Sequence, residues 1–429
     1  MDAPSLTTRL RDLVGVHPPG PADERQAHTP QRPLTHLADE LGGEVCELEG
    51  GCCVVVDRWY TPDTAHGGHT IGVCAELMRR HVKHVAVLGP SRGVHELPDD
   101  PALRFFDLET TGLAGGAGTY AFLVGSGTFE DGSFHTRQFL LTSYGAERPF
   151  LGAVARSMAN AEMLVSFNGR AFDAPILETR YLFHRLAVPF SEAAHLDMLH
   201  ASRRLWGSDA GCSLRVLEEM LAGVVRHGDV PGAEIPARYL HFARSGDARL
   251  LVPVLEHNRL DLLSLAVLTS VAVRLVEEGA MGTRDGRECL GLGRLFERRG
   301  LNDRATTCYT QAASDRAKNC RDIRVEALRR LARRMRRDGR HRDAVEAWQQ
   351  ILGLGADEHP ALREAVHALA VHHEHRSKDL QAARGFAIRA VVTAARERHQ
   401  AQARHRLARL DRKLGLGKVK SGNRRAEPF

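Results

Sequence analysis

The segment 104–113 (RFFDLETTGL) contains two acidic residues that could bind a cation at the end of a buried strand. Asp107 and Glu109 stand two positions apart after bulky apolar residues. Because side chains alternate along a strand, the two carboxylates share one face and Leu108 takes the other. Adjacent carboxylates repel each other unless a cation joins them, and their oxygens suit Mg²⁺ or Mn²⁺. A pair of such ions commonly hydrolyses phosphodiesters, although a lone D-x-E is more often a polar strand end.

More acidic residues follow where predicted elements begin or end. After the predicted strand MLVSF, the sequence NGRAFD places Asp173 at the start of a helix, and HLDMLH contains Asp197. The apolar segment LEHNRLDLLSLAVLTSVAV predicts a long helix with one buried side. His257 and Asp261 are four positions apart and therefore lie on one face of that helix. An Asp on a buried helix is costly without a partner.

Between about residues 103 and 276, the order of patterns predicts a mixed sheet. Three strands form an antiparallel meander, with predicted turns at 125–127 and 131–132. The helix PFLGAVARSMANA and the strand MLVSF follow, and a right-handed crossover would return this strand to the side of the first. The strand ends that carry the acidic residues would then meet at one edge.

Four of these acids occur in an order that resembles the DEDD exonucleases of the ribonuclease H-like superfamily, and more closely the YprB-type ribonuclease H-like domain: Asp107, Glu109, Asp173 and Asp261. The resemblance covers about residues 103–276, and the upstream segment HGG (66–68) is a weaker match. It implies an α/β fold in which helices flank a mixed sheet. It also implies that the four carboxylates hold two divalent ions, Mg²⁺ or Mn²⁺, roughly 4 Å apart.

The reaction implied by the resemblance is 3′–5′ exonucleolytic hydrolysis of single-stranded DNA or RNA. His257 would orient or deprotonate the attacking water, and the implied substrate contacts are Thr110, Asn168 and Gly169. DEDD enzymes commonly have Tyr four positions before the last Asp or His five positions before it, whereas here His stands four positions before it. A neutral His is an adequate base near pH 7. The alternative is that His257 is a capping or surface residue. We interpret Asp197 as structural or substrate-adjacent.

Charge is divided unevenly along the chain. Residues 281–429 hold 34 Lys and Arg against 18 Asp and Glu, a balance of +16, and residues 1–280 have a balance of −10. An acidic part that could bind cations thus precedes a basic part that could attract polyanions. The alternative is that the arginine-rich helices are merely solvated. The densest cluster comprises Arg329, Arg330, Arg333, Arg334, Arg336 and Arg337.

From about residue 285, helical patterns repeat at spacings of 39 and 38 residues, with small and aromatic residues that match the tetratricopeptide pattern. Such repeats form a concave surface that could bind a protein partner, or they could be a spacer without a ligand. We predict five segments: a disordered N-terminus (1–35), a small β-rich extension (36–100), a ribonuclease H-like nuclease domain (101–278), tetratricopeptide-like repeats (284–415) and a basic disordered tail (416–429).

The N-terminal segment, the apolar runs and the cysteines indicate the cellular compartment of the protein. The first residues lack the basic-then-apolar order of a signal peptide, and the uncharged apolar run 262–273 is far shorter than a membrane span. Eight cysteines without CxxC spacing indicate reduced thiols, so we expect a cytoplasmic protein with no membrane contact. The following residues fit no ordinary structural zinc pattern: Cys46, Cys52, Cys53, His66 and His69.

A rival hypothesis is a noncatalytic nucleic-acid-binding or scaffold protein. Its nuclease fold would be a relic, and its repeats would hold a protein partner. Retention of four crowded carboxylates favours catalysis, because a relic has no reason to keep like charges together.

Overall fold

The computed structural model describes residues 33–89, 98, 101–112, 118–207, 211–317, 320–355, 359–394 and 396–416. Most of the predicted N-terminal segment 1–35 and nearly all of the predicted tail 416–429 lie outside the described residues. The described chain forms a mixed sheet flanked by helices, followed by an all-helical region.

The strands of the described chain are β1 (Glu44–Leu48), β2 (Gly51–Tyr60), β3 (Ala65–His66), β4 (His69–Thr70), β5 (Leu103–Thr110), β6 (Ala121–Glu130), β7 (Ser133–Leu140), β8 (Met163–Ser166) and β9 (Ala194–Asp197). The main sheet has the order β1-β2-β7-β6-β5-β8-β9, and β3 pairs with β4 separately. Strand β5 is antiparallel to β6 and parallel to β8, which is parallel to β9. The carboxyl ends of β5, β8 and β9 therefore meet at one edge.

The helices that accompany the sheet are α1 (Leu34–Leu41), α2 (Ile71–His81), α3 (Val85–Leu88), α4 (Glu147–Met158), α5 (Asp173–Phe183), α6 (Met198–Leu205), α7 (Leu214–Ala222), α8 (Ile235–Ser245) and α9 (Val252–Glu278). The long helix α9 crosses β5 and β6 on one face of the sheet. Because side chains alternate along β5, Phe105 packs in the core beneath α9, and Phe106 packs in the core formed with α4 and α8.

The all-helical region consists of α10 (Gly286–Arg298), α11 (Asn302–Ser314), α12 (Arg321–Arg337), α13 (His341–Gly353), α14 (Pro360–His375), α15 (Leu380–Val392) and α16 (Glu397–Lys413). Successive helices pack as three pairs and a terminal helix. In the first pair, a Cβ atom at Gly293 would lie 2.6 Å from the Tyr309 ring, so glycine is needed for this close approach. The tetratricopeptide-like character of these pairs stays a prediction.

The two parts of the chain share a core. Cys289, Leu292 and Phe296 of α10 are buried in the same apolar cluster as α9. Across the junction, Trp206 Nε1 donates a hydrogen bond to Glu288 Oε1 at 2.6 Å. The stretch from 278 to 284, where the sequence predicts a domain boundary, therefore runs along a packed junction. None of the helices in the described chain combines the length and apolar composition needed to cross a bilayer.

Two features differ from the sequence-based expectation. The predicted turn at 125–127 is wrong, because these residues lie inside β6; the meander turns at Asp131 and Gly132, whose φ angles are 46° and 79°. The β-rich extension 36–100 is not a separate unit. Its hairpin β1–β2 joins the main sheet through β7, and much of the rest of its described chain is helical.

Candidate active site

Asp107 and Glu109 lie near the carboxyl end of β5, on the face that meets α9. Phe105, on the same face, packs in the α9 core, whereas Leu108 packs in the opposite core. Both acidic residues are half-buried. The alternation predicted from the sequence thus directs both carboxylates toward α9.

Asn258 of α9 fixes the first of these carboxylates. Its Nδ2 donates to Asp107 Oδ2 at 2.8 Å and to the Asp107 carbonyl at 3.2 Å. Its Oδ1 accepts a hydrogen bond of 2.9 Å from Gln138 Nε2. Gly125 stands opposite Asp107 in β6, and a Cβ atom there would lie 2.2 Å from Asn258 Oδ1. The glycine that the sequence suggested as a turn therefore makes room for this amide.

Asp173 begins α5, after a tight loop that follows β8. Asn168 in that loop has a φ of 66°, and a Cβ atom at Gly169 would lie 2.8 Å from Asp173 Oδ2. Asp197 is buried, and its carboxylate accepts hydrogen bonds from the backbone N–H groups of Asn168 (2.8 Å) and Arg170 (3.3 Å). The Asp197 carboxylate therefore holds the loop that presents Asp173.

Asp261 of α9 is paired with a buried arginine. Arg226 Nη2 lies 2.6 Å from Asp261 Oδ1, and the Arg226 side chain is only 3% exposed. The same guanidinium donates two hydrogen bonds of 2.7 Å to Glu218 and one of 3.2 Å to Asp229. Arg226 is thus the cation that compensates part of this acidic site and orients one of its carboxylates.

His257 lies between two of these acids. Its Nδ1 is 2.7 Å from Asp229 Oδ1, and its Nε2 is 3.7 Å from Asp261 Oδ2. The pKa of Asp229 is low: burial alone would raise it, but hydrogen bonds from His257 and Arg226 outweigh burial. An ionised Asp229 accepts the Nδ1 proton of His257, so in the neutral ring Nε2 carries the lone pair.

Burial and mutual repulsion raise the pKa of three carboxyl groups. Burial first, then the charges of Asp261, Glu109 and Asp173, raise the pKa of Asp107 well above its ordinary value. Burial, then Asp261 and Asp173, do the same to the pKa of Glu109. Burial, with the charges of Asp197 and Asp261, raises the pKa of Asp173 to about 7. The predicted four carboxylates are thus close enough to act as one electrostatic cluster.

The donor chemistry of this cluster fits small divalent cations, which prefer oxygen ligands. Among the described residues, ligand atoms of three residues come within 4.8 Å of one another at His81, His84 and Glu277, and no three of the four carboxylates do so. Mg²⁺ usually takes one or two carboxylates together with water and substrate phosphates. As the structure places them, at most two of the four carboxylates would contact one ion, and water or substrate would supply its other ligands. The cysteines and histidines considered for zinc form no such group among the described residues.

The HGG segment (66–68) is linked to the site by buried hydrogen bonds. His66 Nε2 lies 2.8 Å from Ser264 Oγ, which in turn donates to Glu218, the partner of Arg226. Burial, with the charges of Arg226 and His69, lowers the pKa of His66 to about 4, so this ring is neutral near pH 7. A buried polar chain thus connects the upstream motif to the arginine that holds Asp261.

The predicted substrate contacts lie in different surroundings. Asn168 and Gly169 border Asp173, whereas the Thr110 hydroxyl donates to the Gly112 carbonyl at 2.9 Å. Phe172, immediately before Asp173, is 51% exposed, and the sequence pattern does not predict a role for it. The other residues missed there are Asn258, Arg226, Glu218 and Asp229. For Asn258, the sequence offers one signal, an Asn inside an apolar helical run. The other three residues lie outside any recognised motif.

Comparisons with known proteins agree with this architecture. Residues 104–273 match a family model described as RNase_H superfamily. The chain is 31% identical over 405 residues to a Bacillus subtilis (strain 168) protein described as "Uncharacterized protein YprB", an alignment that covers 91% of this chain and 94% of that protein. The predicted resemblance and fold class are confirmed. The chain therefore belongs to the YprB family, and its residues 104–273 form a ribonuclease H superfamily domain.

Proposed function

We propose that this protein is a metal-dependent nuclease, a 3′–5′ exonuclease that hydrolyses phosphodiester bonds of single-stranded DNA or RNA. The observation that carries the proposal is the cluster of Asp107, Glu109 and Asp173, whose carboxyl pKa values are all raised by burial and by one another or by Asp261. Such crowding is unfavourable for folding and is typical of sites that bind cations or move protons.

Asp107, Glu109, Asp173 and Asp261 would hold the ions. When bound, two Mg²⁺ or Mn²⁺ ions supply the positive charge that activates water and stabilises the departing 3′ oxygen. Asn258 fixes the rotamer of Asp107, and Arg226 fixes that of Asp261. These contacts of Asn258 and Arg226 keep the carboxylate oxygens in place before the substrate binds.

His257 is our candidate for the group that accepts a proton from the attacking water. Its Nδ1 is engaged by Asp229, so its Nε2, next to Asp261, is the atom available for that proton. The Asp229 carboxylate sets both the tautomer and the ring orientation of His257.

Two features beside Asp173 support a single-stranded substrate. The close approach of Gly169 to Asp173 leaves backbone, without a side chain, at the place where a phosphate would pass. The half-exposed ring of Phe172 could stack on an unpaired base, which is a common and sequence-tolerant contact of single strands.

The test is cleavage of single-stranded DNA and RNA labelled at either end, with Mg²⁺, Mn²⁺ or a chelator. Stepwise shortening from the 3′ end is expected with metal and not with chelator. A 3′-blocked or circular substrate separates end attack from internal attack. Products of equal yield from wild-type protein and Asp107→Asn would overturn the proposal.

A noncatalytic role is the second candidate, because Asp261 already has a cation partner in Arg226. That role predicts nucleic-acid binding without products under every metal condition. The same assay, run beside a binding measurement, distinguishes the two.

A further inference from the structure

A second polar cleft lies on the sheet face opposite the carboxylates. It has a volume of about 310 Å³, near the lower end of the roughly 300–1,000 Å³ range of small-molecule sites. The sheet supplies its floor, and the end of α4 with the following residues forms one wall. Its principal lining residues are Trp59, Arg104, Glu130, His135, Arg137 and Arg156.

Strand register explains why these side chains converge. Trp59 pairs with His135 across β2 and β7, and Arg137, two residues along β7, pairs with Ser126 of β6. Ser126 pairs with Phe106 of β5. Arg104, two residues before Phe106, therefore shares this face, whereas Asp107 has the other.

The arginines of the cleft differ in how far their charge is compensated. Arg137 forms two hydrogen bonds, of 2.8 and 3.0 Å, with Asp57, which also contacts His135 at 2.7 Å. Arg104 has a buried Nε with no hydrogen-bond partner among the described residues. Burial lowers the pKa of its guanidinium, and the negative charge of Glu130 partly opposes that shift. Arg156 is exposed and forms no ion pair with a described residue. Among the described residues, neither Arg104 nor Arg156 forms an ion pair within 4 Å, and only the charge of Glu130 compensates Arg104 in part.

Trp59 provides an aromatic surface at the same place. It is 56% exposed, and its ring stacks on His135 with a centroid distance of 4.1 Å and an interplanar angle of 3°. Because His135 supports one face of the indole, the other face is held in a fixed orientation. A rigid, exposed aromatic ring in the same cleft as Arg104 and Arg156 matches the two parts of a nucleotide, a flat base and an anionic phosphate.

We propose that this cleft binds a nucleoside phosphate group, with the phosphate between Arg104 and Arg156 and the base on Trp59. The group can belong to a free nucleotide or to one nucleotide of a single strand, since the recognising chemistry is the same. Glu130 at the cleft opposes the bound anion and limits its affinity.

The cleft is separate from the carboxylate site. Three residues of β5, roughly 10 Å along the strand, separate Arg104 from Asp107, and the sheet lies between their side chains. The inference concerns binding alone and does not depend on cleavage, so it is tested in chelator, where the proposed hydrolysis is silent.

The experiment is fluorescence titration of the full-length protein. Trp59 is the exposed tryptophan, because Trp206 and Trp348 are 7% and 3% exposed. AMP, UMP, a 12-residue oligonucleotide and inorganic phosphate are the probes. We expect saturable quenching by nucleotide or oligonucleotide and no quenching signal from Trp59→Phe. Saturation by mononucleotides identifies a free nucleotide as the ligand, and saturation by the oligonucleotide alone identifies a single strand.

Charge variants test whether the nucleotide that quenches Trp59 fluorescence binds in the cleft. Arg156→Gln should weaken binding about tenfold, as expected for loss of a charge-assisted contact. Arg104→Lys should also weaken it, and Glu130→Gln should strengthen it a few-fold. Arg389→Gln, a change of an exposed arginine on α15, should have no effect. Quenching by none of the probes, or equal affinity in Arg156→Gln and Arg389→Gln, overturns the inference.

Discussion

The carboxylate site and helix α12 are both crowded with like charges, but five of the six clustered arginines of α12 have an acidic partner. Around Asp107, Glu109 and Asp173, acids face acids, and burial and repulsion raise their pKa values. In α12, Arg330 pairs with Glu297 at 2.6 Å, and Arg333 makes two hydrogen bonds, of 2.5 and 2.6 Å, with Glu364. Arg329 and Arg337 also pair with glutamates.

Charge counted in a sequence does not show which of the charged side chains are paired. The balance of +16 in residues 281–429 suggests a surface that could attract polyanions, yet many of these arginines hold the helices together. Glu374 illustrates this: its side chain is fully buried and receives two hydrogen bonds from Arg409 and one from Lys413. Like charges that are paired with opposite charges indicate structural contacts, whereas crowded acids that raise one another's pKa indicate a ligand site.

The largest expected effect follows from removing one charge of the carboxylate site. Asp107→Asn or Asp173→Asn should lower cleavage on the order of 10³-fold, because an ion loses a ligand. Without metal, the thermal midpoint should hold or rise, since repulsion is relieved. Asp63→Asn, at an exposed position, is the matched control for both measurements. A fall in the thermal midpoint large enough to explain the lost cleavage would mean that the acids are structural. The contrast with the helices would then disappear.

The next effect concerns His257. His257→Gln should reduce turnover on the order of 10²-fold, the usual contribution of a general base. It should also flatten the acid limb of the pH–rate profile. Asp229→Asn should reproduce part of this loss, because Asp229 sets the tautomer of His257. A pH profile with the same shape in wild-type protein and His257→Gln would assign this histidine a structural role.

The electrostatics of the site also predict how stability depends on pH. The folded pKa of Asp173 is about 7 against an ordinary value of 3.8, so the folded protein binds more protons between these values. Its contribution to stability is therefore fully present below about pH 4 and is lost as the pH rises through about 7. In chelator, the thermal midpoint should be lower at pH 8 than at pH 5.5, and Mg²⁺ should reduce this difference.

Asp173→Asn supplies the control for that measurement, because titrating histidines contribute equally to both proteins. The variant should show a smaller fall between pH 5.5 and 8. An identical fall in both would show that Asp173 is not the group responsible.

The sequence was sufficient to identify the residues whose spacing is local. The alternation in β5 places Asp107 and Glu109 together, and NGRAFD places Asp173 at a helix start, because both patterns depend on backbone geometry alone. Arg226 could not be found in this way. Its role depends on a loop that folds beside α9, and such a contact between distant segments leaves no periodic signal.

The misplaced turn has a related cause. Glycine usually marks a bend, but Gly125 is needed for the close approach of Asn258 of α9, and Gly127 for that of Phe134 of β7. Sequence alone gives the residue type at these positions and not the neighbour that demands it.

The smallest expected effects separate structural arginines from free ones within α12. Arg333 is bound to Glu364, so Arg333→Gln should cost on the order of 0.2–1 kcal/mol of unfolding free energy and leave the salt dependence of nucleic-acid binding unchanged. Arg336 is exposed and forms no ion pair with a described residue. Arg336→Gln should leave stability unchanged and reduce the salt slope by about one, the expected loss of one phosphate contact.

Both variants must be made in the full-length chain, because ending it near residue 278 would expose the core that α9 shares with α10. Chemical denaturation and binding titrations across a range of salt concentrations give the two quantities. If neither substitution changes the salt slope, α12 does not contact nucleic acid, and a protein ligand for the helical pairs becomes the better hypothesis. If Arg333→Gln changes the slope as much as Arg336→Gln, its pairing with Glu364 yields to phosphate, and the division between paired and free arginines does not predict binding.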